Sequence, residues 1–571
     1  MRTYGTLRWA PGVWSIQAEP HVILRAKRVF AQVSKRQAGM LLLNDTIHVA
    51  RDIEWFMERY PLAMDQETAG RLGSQARACD AAMDLVQKVI NRSAPLPTFE
   101  LSLPARRYQA EAAALVLATG RLLIGDVVGL GKTATAIAVL SDQRARPAVV
   151  VTLTHLPRQW EAEFARFAPQ LRTFIPKRGE PRQRDRDLLT GMAPPDVVIL
   201  NYAKLAGWAQ TLAETFRAQC VVFDEVQELR TGTSSAKGAA ANLLARACAY
   251  RVGLSATPVY NYGGEIWNIL HVLDPNALGS SSEFATEWGG GAPDATGKTK
   301  VANPAALGSY LRDIGVFIRR TIPDVVDEVP ELREAIRIPH LVDSDAAQLT
   351  KAKTAASELA RIILSSTATG AEKMRAGGEI DWRMRQATGI AKAPYVAAFV
   401  RMLLDAGEER VLLYGWHHAV YEVWRERLKD FHPVFFTGEE TTNQKEAARL
   451  AFCEGKSRVL VMSLRAGAGL DGLQKVCKSV VFGELDWSPG VHEQCIGRLH
   501  RPGQEDAVRA FFLHTDDGSD PVIVEVLGIK KAQARGIVDP NAPILEPKVD
   551  TESHIRLLAE RCLGGKEAVS A

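Results

Sequence analysis

The sequence has few of the features that mark metal-clustered, disulfide-bonded or membrane-inserted chains. It contains seven cysteines, and no two of them form a C-x-x-C pair. A zinc ribbon, a zinc finger or a disulfide framework is therefore not expected. No uninterrupted apolar run reaches the ~18 residues of a membrane-spanning helix, and the opening MRTYGTLRWAPG lacks the apolar segment of a signal peptide. These absences predict a protein of the reducing cytoplasm that makes no membrane contact.

An excess of charge of one sign is also missing. The chain of 571 residues carries 70 Lys and Arg against 66 Asp and Glu, a net charge of +4. This excludes an overall basic coat, so any nucleic-acid contact must come from basic groups that are gathered locally. The apolar fraction of 46% and the charged fraction of 24% are typical of folded domains. At roughly 100–200 residues per domain, the length predicts three or four domains, or two large ones with appendages.

Short apolar runs that alternate with longer helical segments occur twice along the chain. Continuous Val, Ile and Leu strands separated by helices are typical of parallel sheets that are covered on both faces. We therefore predict an α/β fold with two parallel-sheet lobes. The predicted strands lie at 122–124, 148–151, 197–200, 220–223 and 251–254, and then at 411–414, 434–436, 459–462, 479–482 and 510–513.

The segments around these lobes have different patterns. Residues 1–95 predict a small α+β domain, with strands at 13–16 and 21–24 and helices at 52–60 and 66–91. Two prolines, Pro95 and Pro97, mark a linker. The predicted domains are therefore 1–95, a first lobe at 96–260, helical protrusions and a linker at 261–394, a second lobe at 395–535, and a tail at 536–571.

The strongest local motif is the glycine-rich stretch at 125–133, which reads G-D-V-V-G-L-G-K-T. It follows a predicted buried strand and precedes an Ala-rich helix, so its backbone N–H groups and the helix N-terminus can bind phosphate. Lys132 would reach the terminal phosphates and Thr133 would ligate Mg²⁺. Asp126 stands where the strict pattern has its first glycine, so the alternative is an ordinary glycine-rich turn before a helix.

Two carboxylates end a later predicted strand of the same lobe. Asp224 and Glu225 follow the apolar run at 220–223, about 90 residues after Lys132. In a nucleotide site, Asp224 would hold the metal ion and Glu225 would act on the attacking water. Acidic residues often end strands, and the spacing within one predicted sheet is what favours the functional interpretation.

Two weaker motifs complete the set. Ser-Ala-Thr-Pro at 255–258 follows another predicted strand and could sense the nucleotide, although alone it reads as a turn. In the second lobe, Arg498 and Arg501 are three residues apart, which predicts one helical face. Guanidinium groups suit phosphate oxygens, and an Arg that reaches the nucleotide can stabilise transition-state charge. The alternative is a solvated basic helix end.

Together these motifs resemble the SNF2 family of superfamily 2 helicase-type motors over residues 100–535. That family's D-E-M-G-L-G-K-T loop places Asp126, and motif II here reads D-E-V-Q at 224–227 where most members have D-E-A-H. Motif VI ends G-R-L-H-R-P-G-Q at 497–504. The resemblance implies two RecA-like lobes with helical insertions. More weakly, residues 1–95 resemble the substrate-recognition domain of the annealing-helicase branch, as in small phage or bacterial members.

The resemblance also implies roles for individual residues. The catalytic residues would be Lys132, Glu225, Arg498 and Arg501, with Thr133 and Asp224 at the metal ion. The nucleotide-binding residues would be Arg106, Gln109, Asp126, Gly129, Gly131, Lys132, Thr133, Gly469 and Asp471. The DNA-binding residues would be Thr154, His155, Gln159, Asn201, Arg465 and Ala466.

The implied function is ATP-dependent and Mg²⁺-dependent translocation on double-stranded or branched DNA, by a monomer that remodels or anneals DNA or displaces DNA-bound proteins. The bacterial nucleoid or a phage-infected cell would be its place of action. One alternative is a strand-separating helicase or the ATPase subunit of a restriction or defence system. The other is a DNA-binding scaffold with a decayed ATPase, against which the complete set of ATP-site residues argues.

Overall fold

The computed structural model describes residues 2–30, 33, 39–93, 95–259, 263–291, 299–330, 332–465, 472–527 and 554–563. The chain divides into two compact units. The first contains Met1–Gly125, Lys132–Pro258 and Gly263–Arg319, and the second contains Asp126–Gly131, Val259–Tyr262 and Arg320–Ala571. Residues 1–95 thus fall in the same unit as the first lobe, and their independence as a domain stays a prediction.

The N-terminal part of the first unit is a three-stranded antiparallel sheet with three helices. Its elements are β1 (Gly5–Ala10), β2 (Val13–Ala18), α1 (Pro20–Val29), β3 (Met40–Asn44), α2 (Ile47–Arg59) and α3 (Gln66–Ile90). The strands have the order β1-β2-β3, and alternate residues such as Trp14 and Ile16 are buried beneath the helices. Helix α3 also packs along a helix of the first lobe, Arg107–Thr119.

The strand predicted at 21–24 is wrong, because these residues form the first turns of α1. Pro20 occupies the beginning of the helix, where its missing N–H costs nothing. Val22, Ile23 and Ala26 are buried at helical spacing. A run of three apolar residues after His21 was too short to distinguish a strand from a buried helix face.

The first lobe is a seven-stranded parallel sheet with helices between its strands. The strand order is β10-β4-β9-β8-β5-β7-β6, and the predicted strands of this lobe are confirmed to within one residue at each end. Its strands are β4 (Arg121–Ile124), β5 (Ala148–Thr152), β6 (Thr173–Phe174), β7 (Val197–Asn201), β8 (Cys220–Asp224), β9 (Tyr250–Leu254) and β10 (Phe317–Ile318). Its helices are α4 (Arg107–Thr119), α5 (Lys132–Ser141), α6 (Pro157–Phe167), α7 (Gln183–Thr190), α8 (Tyr202–Gln210), α9 (Ala236–Ala247), α10 (Glu265–Leu273), α11 (Ser281–Glu287) and α12 (Pro304–Asp313).

The second unit contains a six-stranded parallel sheet of order β11-β16-β15-β12-β14-β13. Its strands are β11 (Ile336–Leu341), β12 (Val411–Gly415), β13 (Val434–Phe436), β14 (Val459–Ser463), β15 (Ser479–Phe482) and β16 (Arg509–His514). Its helices are α13 (Ala346–Leu364), α14 (Gly370–Asp405), α15 (His418–Arg427), α16 (Thr442–Cys453) and α17 (Pro489–Ile496), followed by helices at 520–527 and His554–Cys562. The prediction of two parallel-sheet lobes with helical insertions is therefore confirmed, although the helical stretch also supplies β10 and β11.

Helix α14 departs from the expectation that no segment could span a membrane. By length and composition, its 36 residues are long and apolar enough to do so. Of its most apolar 18-residue window, 56% is buried inside the protein, as in a core helix, so this is weak evidence for a span. Lys392 of α14 is buried and its Nζ donates to Asp520 Oδ2 at 2.6 Å, which joins α14 to the helix at 520–527 within the second unit.

Candidate functional site

The glycine-rich loop joins β4 to α5 as the sequence predicts. Gly129 and Gly131 have φ angles of 93° and 69°, in the left-handed region that side chains other than glycine rarely adopt. Lys132 is the first residue of α5. Lys132 and Thr133 are therefore held at a helix N-terminus, where orphan N–H groups and the helix dipole attract anions.

The loop's first residues explain why it misses the strict phosphate-loop pattern by one position. A Cβ on Gly125 would lie 2.5 Å from Cε2 of Phe317, so the glycine makes room for this neighbouring strand. The Asp126 side chain is fully buried, and its carboxylate accepts hydrogen bonds from Arg320. At the start of the loop, Gly125 therefore lies against Phe317 and Asp126 binds Arg320.

Asp224 lies at the carboxyl end of β8 with one carboxylate oxygen already held. Its Oδ2 accepts hydrogen bonds from Thr152 Oγ1 and from Trp160 Nε1, both at 2.8 Å. Burial raises the pKa of Asp224 above its ordinary value, while these two donors and the charge of Lys132 act in the opposite direction. The carboxylate is therefore fixed in orientation at the end of β8. Only β9 separates β8 from β4, the strand that precedes the glycine-rich loop.

Glu225 follows with backbone angles of φ 51° and ψ 53°, which are uncommon for a residue with a side chain. The buried Gln227 donates from Nε2 to Glu225 Oε2 at 2.5 Å. The other amide atom, Gln227 Oε1, is buried without a hydrogen-bond partner. The residue that replaces the family's usual histidine thus orients the carboxylate next to it.

The Ser-Ala-Thr-Pro turn lies at the end of β9, the strand between β4 and β8. Ser255 is buried, and its Oγ accepts a hydrogen bond from Thr257 N at 3.0 Å. The carbonyl of Ala256 accepts a hydrogen bond from Arg319 Nη1 at 3.0 Å. The turn, the glycine-rich loop and Asp224 therefore follow three adjacent strands at the same edge of the sheet.

Two of the predicted nucleotide-binding residues, Arg106 and Gln109, lie at the start of α4. Gln109 is buried, and its Oε1 accepts a hydrogen bond from the backbone N of Arg106 at 3.0 Å. This bond closes the first turn of the helix, in the manner of an N-terminal cap. The glutamine thus has a structural partner in addition to the role that its motif implies.

The four first-lobe residues predicted to contact DNA divide into two groups. Thr154, His155 and Gln159 are exposed in the turn after β5 and the first turn of α6. Asn201 is only 7% exposed, and its Oδ1 accepts a hydrogen bond from Lys204 N at 3.1 Å as the N-cap of α8. The first three are accessible at the surface, whereas Asn201 caps a helix, and their contacts with DNA stay a prediction.

Arg465 lies just after β14 in the second unit, with a side chain that is more than half exposed. Its guanidinium lies 5.4 Å from the centre of the Trp416 ring, and Nη2 donates to Asp486 Oδ2 at 3.1 Å. Stacking on the indole and pairing with a buried carboxylate hold this cation in place. The predicted residues Ala466, Gly469 and Asp471 lie outside the described residues.

Arg498 and Arg501 do not share a helical face, because α17 ends at Ile496. They lie in the turns that follow, and both are partly buried. The Nε and Nη2 atoms of Arg501 donate to Gly497 O at 3.0 and 2.9 Å. The prediction of helical spacing was wrong here because the family motif continues past the end of the helix.

Sequence reasoning missed three positioning residues. Gln227 was noted as a departure from the family motif, and its contact with Glu225 could have been anticipated from their separation of two residues. Glu484 and Asp486 lie in the E-L-D-W stretch after β15, where they bind His417 and Arg465. Acidic residues directly after an apolar run were the available signal. Among the residues that the structure describes, no three His, Cys, Asp or Glu side chains form a metal-binding cluster.

Comparison with known proteins gives matches over most of the chain. The chain is 26% identical over 432 residues to the mouse DNA annealing helicase and endonuclease ZRANB3, a match that covers 73% of this chain and 39% of that protein. It is 23% identical over 505 residues to the ATP-dependent helicase YqhH of Bacillus subtilis, with 82% and 87% covered. This chain spans about two fifths of the length of the mouse relative.

Among solved structures, the SWI2/SNF2 ATPase core of Sulfolobus solfataricus in complex with dsDNA aligns with a TM-score of 0.38 and 21% identity, over 78% of this chain and 95% of that one. The family model described as SNF2-related domain matches residues 50–380, which is more than half of the chain. It includes the glycine-rich loop, the Asp224–Glu225 pair and the Ser-Ala-Thr-Pro turn. The chain therefore belongs to the SNF2-related family.

Proposed function

We propose that this protein is an SNF2-type ATPase that uses ATP hydrolysis to move along double-stranded DNA without separating its strands. The observation that carries the proposal is the arrangement at one edge of the first sheet. There, Lys132 begins a helix after a loop with two left-handed glycines, and Asp224 and Glu225 follow a strand of the same sheet. This arrangement suits the binding and cleavage of a nucleoside triphosphate.

The residues at this edge have separate tasks. The N–H groups of the loop and the Lys132 ammonium bind the phosphates. Thr133 and Asp224 offer a hydroxyl and a carboxylate, which are the hard oxygen ligands that Mg²⁺ prefers, and the bound ion would neutralise phosphate charge. Glu225, oriented by Gln227, accepts a proton from the attacking water. Arg498 and Arg501 stabilise the negative charge that develops on the phosphates.

The DNA contacts are made chiefly by groups that bind phosphate rather than base edges. Thr154, His155 and Gln159 are exposed after β5, and Arg465 is held beside Trp416. Asn201, which is buried, caps α8 and so fixes the start of the helix after β7. Contacts of this kind fix a duplex by its backbone and carry no sequence information.

The N-terminal residues supply a second DNA contact, which favours branched substrates. Residues 1–40 contain seven Lys or Arg and one acidic residue, a net charge of +6, against +4 for the whole chain. Arg8, Arg25 and Arg28 are exposed there. A concentration of positive charge in one segment of an otherwise balanced protein is typical of a nucleic-acid surface.

The test is ATP turnover and strand displacement by the full chain. Double-stranded DNA should stimulate ATP hydrolysis more than single-stranded DNA does. The protein should displace the third strand of a triplex in an ATP-dependent way and leave a simple tailed duplex intact. The control is Lys132→Ala, which should abolish both activities. Retention of more than a tenth of wild-type kcat by this variant would overturn the assignment of the phosphate loop.

The strand-separating alternative requires a pin that traps opened base pairs, because stacking stabilises a duplex by about 1.4 kcal/mol per step. Trp487, between β15 and α17, is a candidate for such a pin. It is only 9% exposed, and its Nε1 donates to Asp381 Oδ1 of α14 at 2.9 Å. This burial supports the duplex translocase. Efficient unwinding of the tailed duplex would favour the alternative.

A further inference from the structure

A two-residue strand at the edge of the first sheet continues along the phosphate loop. Strand β10 pairs in parallel with β4, through Phe317 beside Leu123 and Ile318 beside Ile124. The backbone bonds do not stop where β4 ends. Gly125 N donates to Ile318 O at 2.7 Å, and Val127 N donates to Arg320 O at 3.0 Å. The first residues of the loop are thus fixed to the segment that ends at Arg320.

A buried ion pair reinforces this backbone contact. Arg320 donates to Asp126 Oδ1 from its backbone N and from Nε, each at 3.0 Å, and to Oδ2 from Nη2 at 2.5 Å. Asp126 is fully buried and Arg320 is 6% exposed. A guanidinium fork that binds both oxygens of one carboxylate fixes orientation as well as distance. The pair therefore holds the loop in one geometry.

The preceding arginine connects the loop to a second part of the site. Nη1 of Arg319 donates to Gly125 O at 2.6 Å and to Ala256 O at 3.0 Å. Ala256 belongs to the Ser-Ala-Thr-Pro turn after β9. One side-chain atom thus binds both the phosphate loop and this turn. A movement of either loop would therefore change a hydrogen bond of Arg319.

The chain after Arg320 is the connection between the two sheets. Residues 319–335 join β10, an edge strand of the first sheet, to β11, an edge strand of the second. The connection therefore begins at the two arginines that hold the phosphate loop.

We propose that Arg319 and Arg320 are positioning residues that couple the nucleotide loops to the connection between the lobes. Asp126 acts through Arg320 and does not bind the nucleotide, in contrast to the role that its motif implies. The proposal rests on the ATPase function above. It assigns the pair Asp126–Arg320 to the DNA stimulation of turnover, and Arg319 to the concerted movement of the two loops.

The test is a double-mutant cycle on the full chain with two readouts. Asp126→Asn, Arg320→Met and the double variant are compared for affinity of a fluorescent ATP analogue and for the ratio of DNA-stimulated to basal ATP turnover. We expect each single variant to lower the stimulation ratio at least tenfold. We expect the double variant to resemble the single ones in both readouts, because the residues act as one unit.

Two further variants keep the test decisive if Arg320→Met does not fold. Arg320→Lys keeps the charge but loses the fork, and should lower the stimulation ratio at least threefold. The matched control is Arg121→Lys at the other end of β4, where Arg121 Nε donates to the buried Asp274 Oδ2 at 2.6 Å. It should leave the stimulation ratio within twofold of wild type.

Two outcomes would overturn this proposal, and a third would refute the proposed function on which it rests. An affinity loss from Asp126→Asn that is as large in the Arg320→Met background as in wild type would overturn the proposal, since it would mean direct nucleotide contact. An equal fall of the stimulation ratio in Arg121→Lys would also overturn it. A wild-type protein without DNA-stimulated turnover would refute the proposed function, whereas the affinity cycle would still decide whether Asp126 acts through Arg320.

Discussion

The two parallel sheets each end one strand with a pair of carboxylates, and the two pairs have opposite environments. Asp224 ends β8 in the first unit and Glu225 follows it, and both are partly exposed. Glu484 and Asp486 follow β15 in the second unit and are 4% and 1% exposed. The same position in the same kind of sheet therefore carries acids that a ligand can reach in one case and enclosed acids in the other.

The hydrogen-bond partners explain the difference. Glu484 Oε2 accepts from the backbone N of Trp416 and of His417, at 2.6 and 3.0 Å, and Oε1 lies 2.6 Å from His417 Nδ1. Burial alone would raise the pKa of Glu484, but the contacts with His417 outweigh it and lower this pKa below its ordinary value. Glu484 and Asp486 thus connect the chain after β15 to the residues that follow β12 and β14. Asp224 and Glu225 stay partly exposed instead.

The largest effect is expected from removing the charge of Glu225, one of the two partly exposed carboxylates of the first unit. Glu225→Gln should reduce ATP turnover by about 10³-fold, because an amide cannot accept the proton of the attacking water. Affinity for ATP and the melting temperature should stay close to wild type. Steady-state turnover, nucleotide binding and thermal unfolding check this. Loss of ATP binding would mean that the tasks of Asp224 and Glu225 are wrongly divided.

The same substitution in the buried pair should have the converse effect. Glu484→Gln leaves His417 and two backbone N–H groups without their charged partner, and should destabilise the second unit by about 3 kcal/mol. The protein that remains folded should keep most of its ATP turnover. Chemical unfolding, alongside Glu439→Gln on the surface as the control, measures the difference. Equal stability of the two variants would contradict the structural role.

A pH effect on stability is also expected from a buried histidine of the second unit. His492 is buried, and its Nε2 accepts a hydrogen bond from Asp486 N at 3.2 Å. Burial lowers the pKa of His492 from 6.5 to about 4, so the unfolded chain binds a proton between these values that the folded chain does not. The contribution of His492 to the free energy of unfolding is therefore fully present above pH 6.5. It decreases by up to about 3 kcal/mol as the pH falls towards 4.

His492→Gln should reduce this pH dependence, since the glutamine does not titrate and its carbonyl can accept the same bond. The exposed His418, replaced by Gln, provides the control and should leave the dependence unchanged. Unfolding free energies measured from pH 4 to pH 7 test both. An unchanged slope in His492→Gln would show that another group is responsible.

The smallest effect is expected at Gln227, which orients one carboxylate of the exposed pair. Gln227→Leu removes the donor to Glu225 and should lower kcat about tenfold, with KM for ATP unchanged, as the loss of one charge-assisted hydrogen bond suggests. Gln227→His restores the family's usual residue and a ring N–H donor, and should recover most of the loss. If the two variants have the same kcat, Gln227 does not position Glu225.

The parts of the fold that the sequence predicted share a physical cause. Strands such as 148–151 and 197–200 are runs of apolar residues that are buried on both faces, and such runs are recognisable from their own residues alone. The glycine-rich loop was identified because its glycines, Lys132 and Thr133 lie next to one another in the sequence. In contrast, β6 and β10 have two residues each, which is too short for any periodic pattern.

The candidate site shows the same division. The residue types at Lys132, Thr133, Asp224 and Glu225 were sufficient to predict what each could do, because charge and oxygen ligands are properties of the side chain. The role of Asn201 as a helix cap, and the end of α17 before Arg498, depend on where the backbone turns. Sequence spacing gave helical geometry to Arg498 and Arg501, which the structure corrects.

The sequence by itself determined the class of fold, the family and the chemical groups of the nucleotide site, since these follow from local patterns of burial and charge. Only the tertiary structure decided which of those groups face a ligand. Asp126 and Arg320 are 194 residues apart, and their pairing depends on a two-residue strand that joins the edge of the sheet. A buried carboxylate is satisfied by whichever donor the fold brings to it, and that donor cannot be read from the residues beside it.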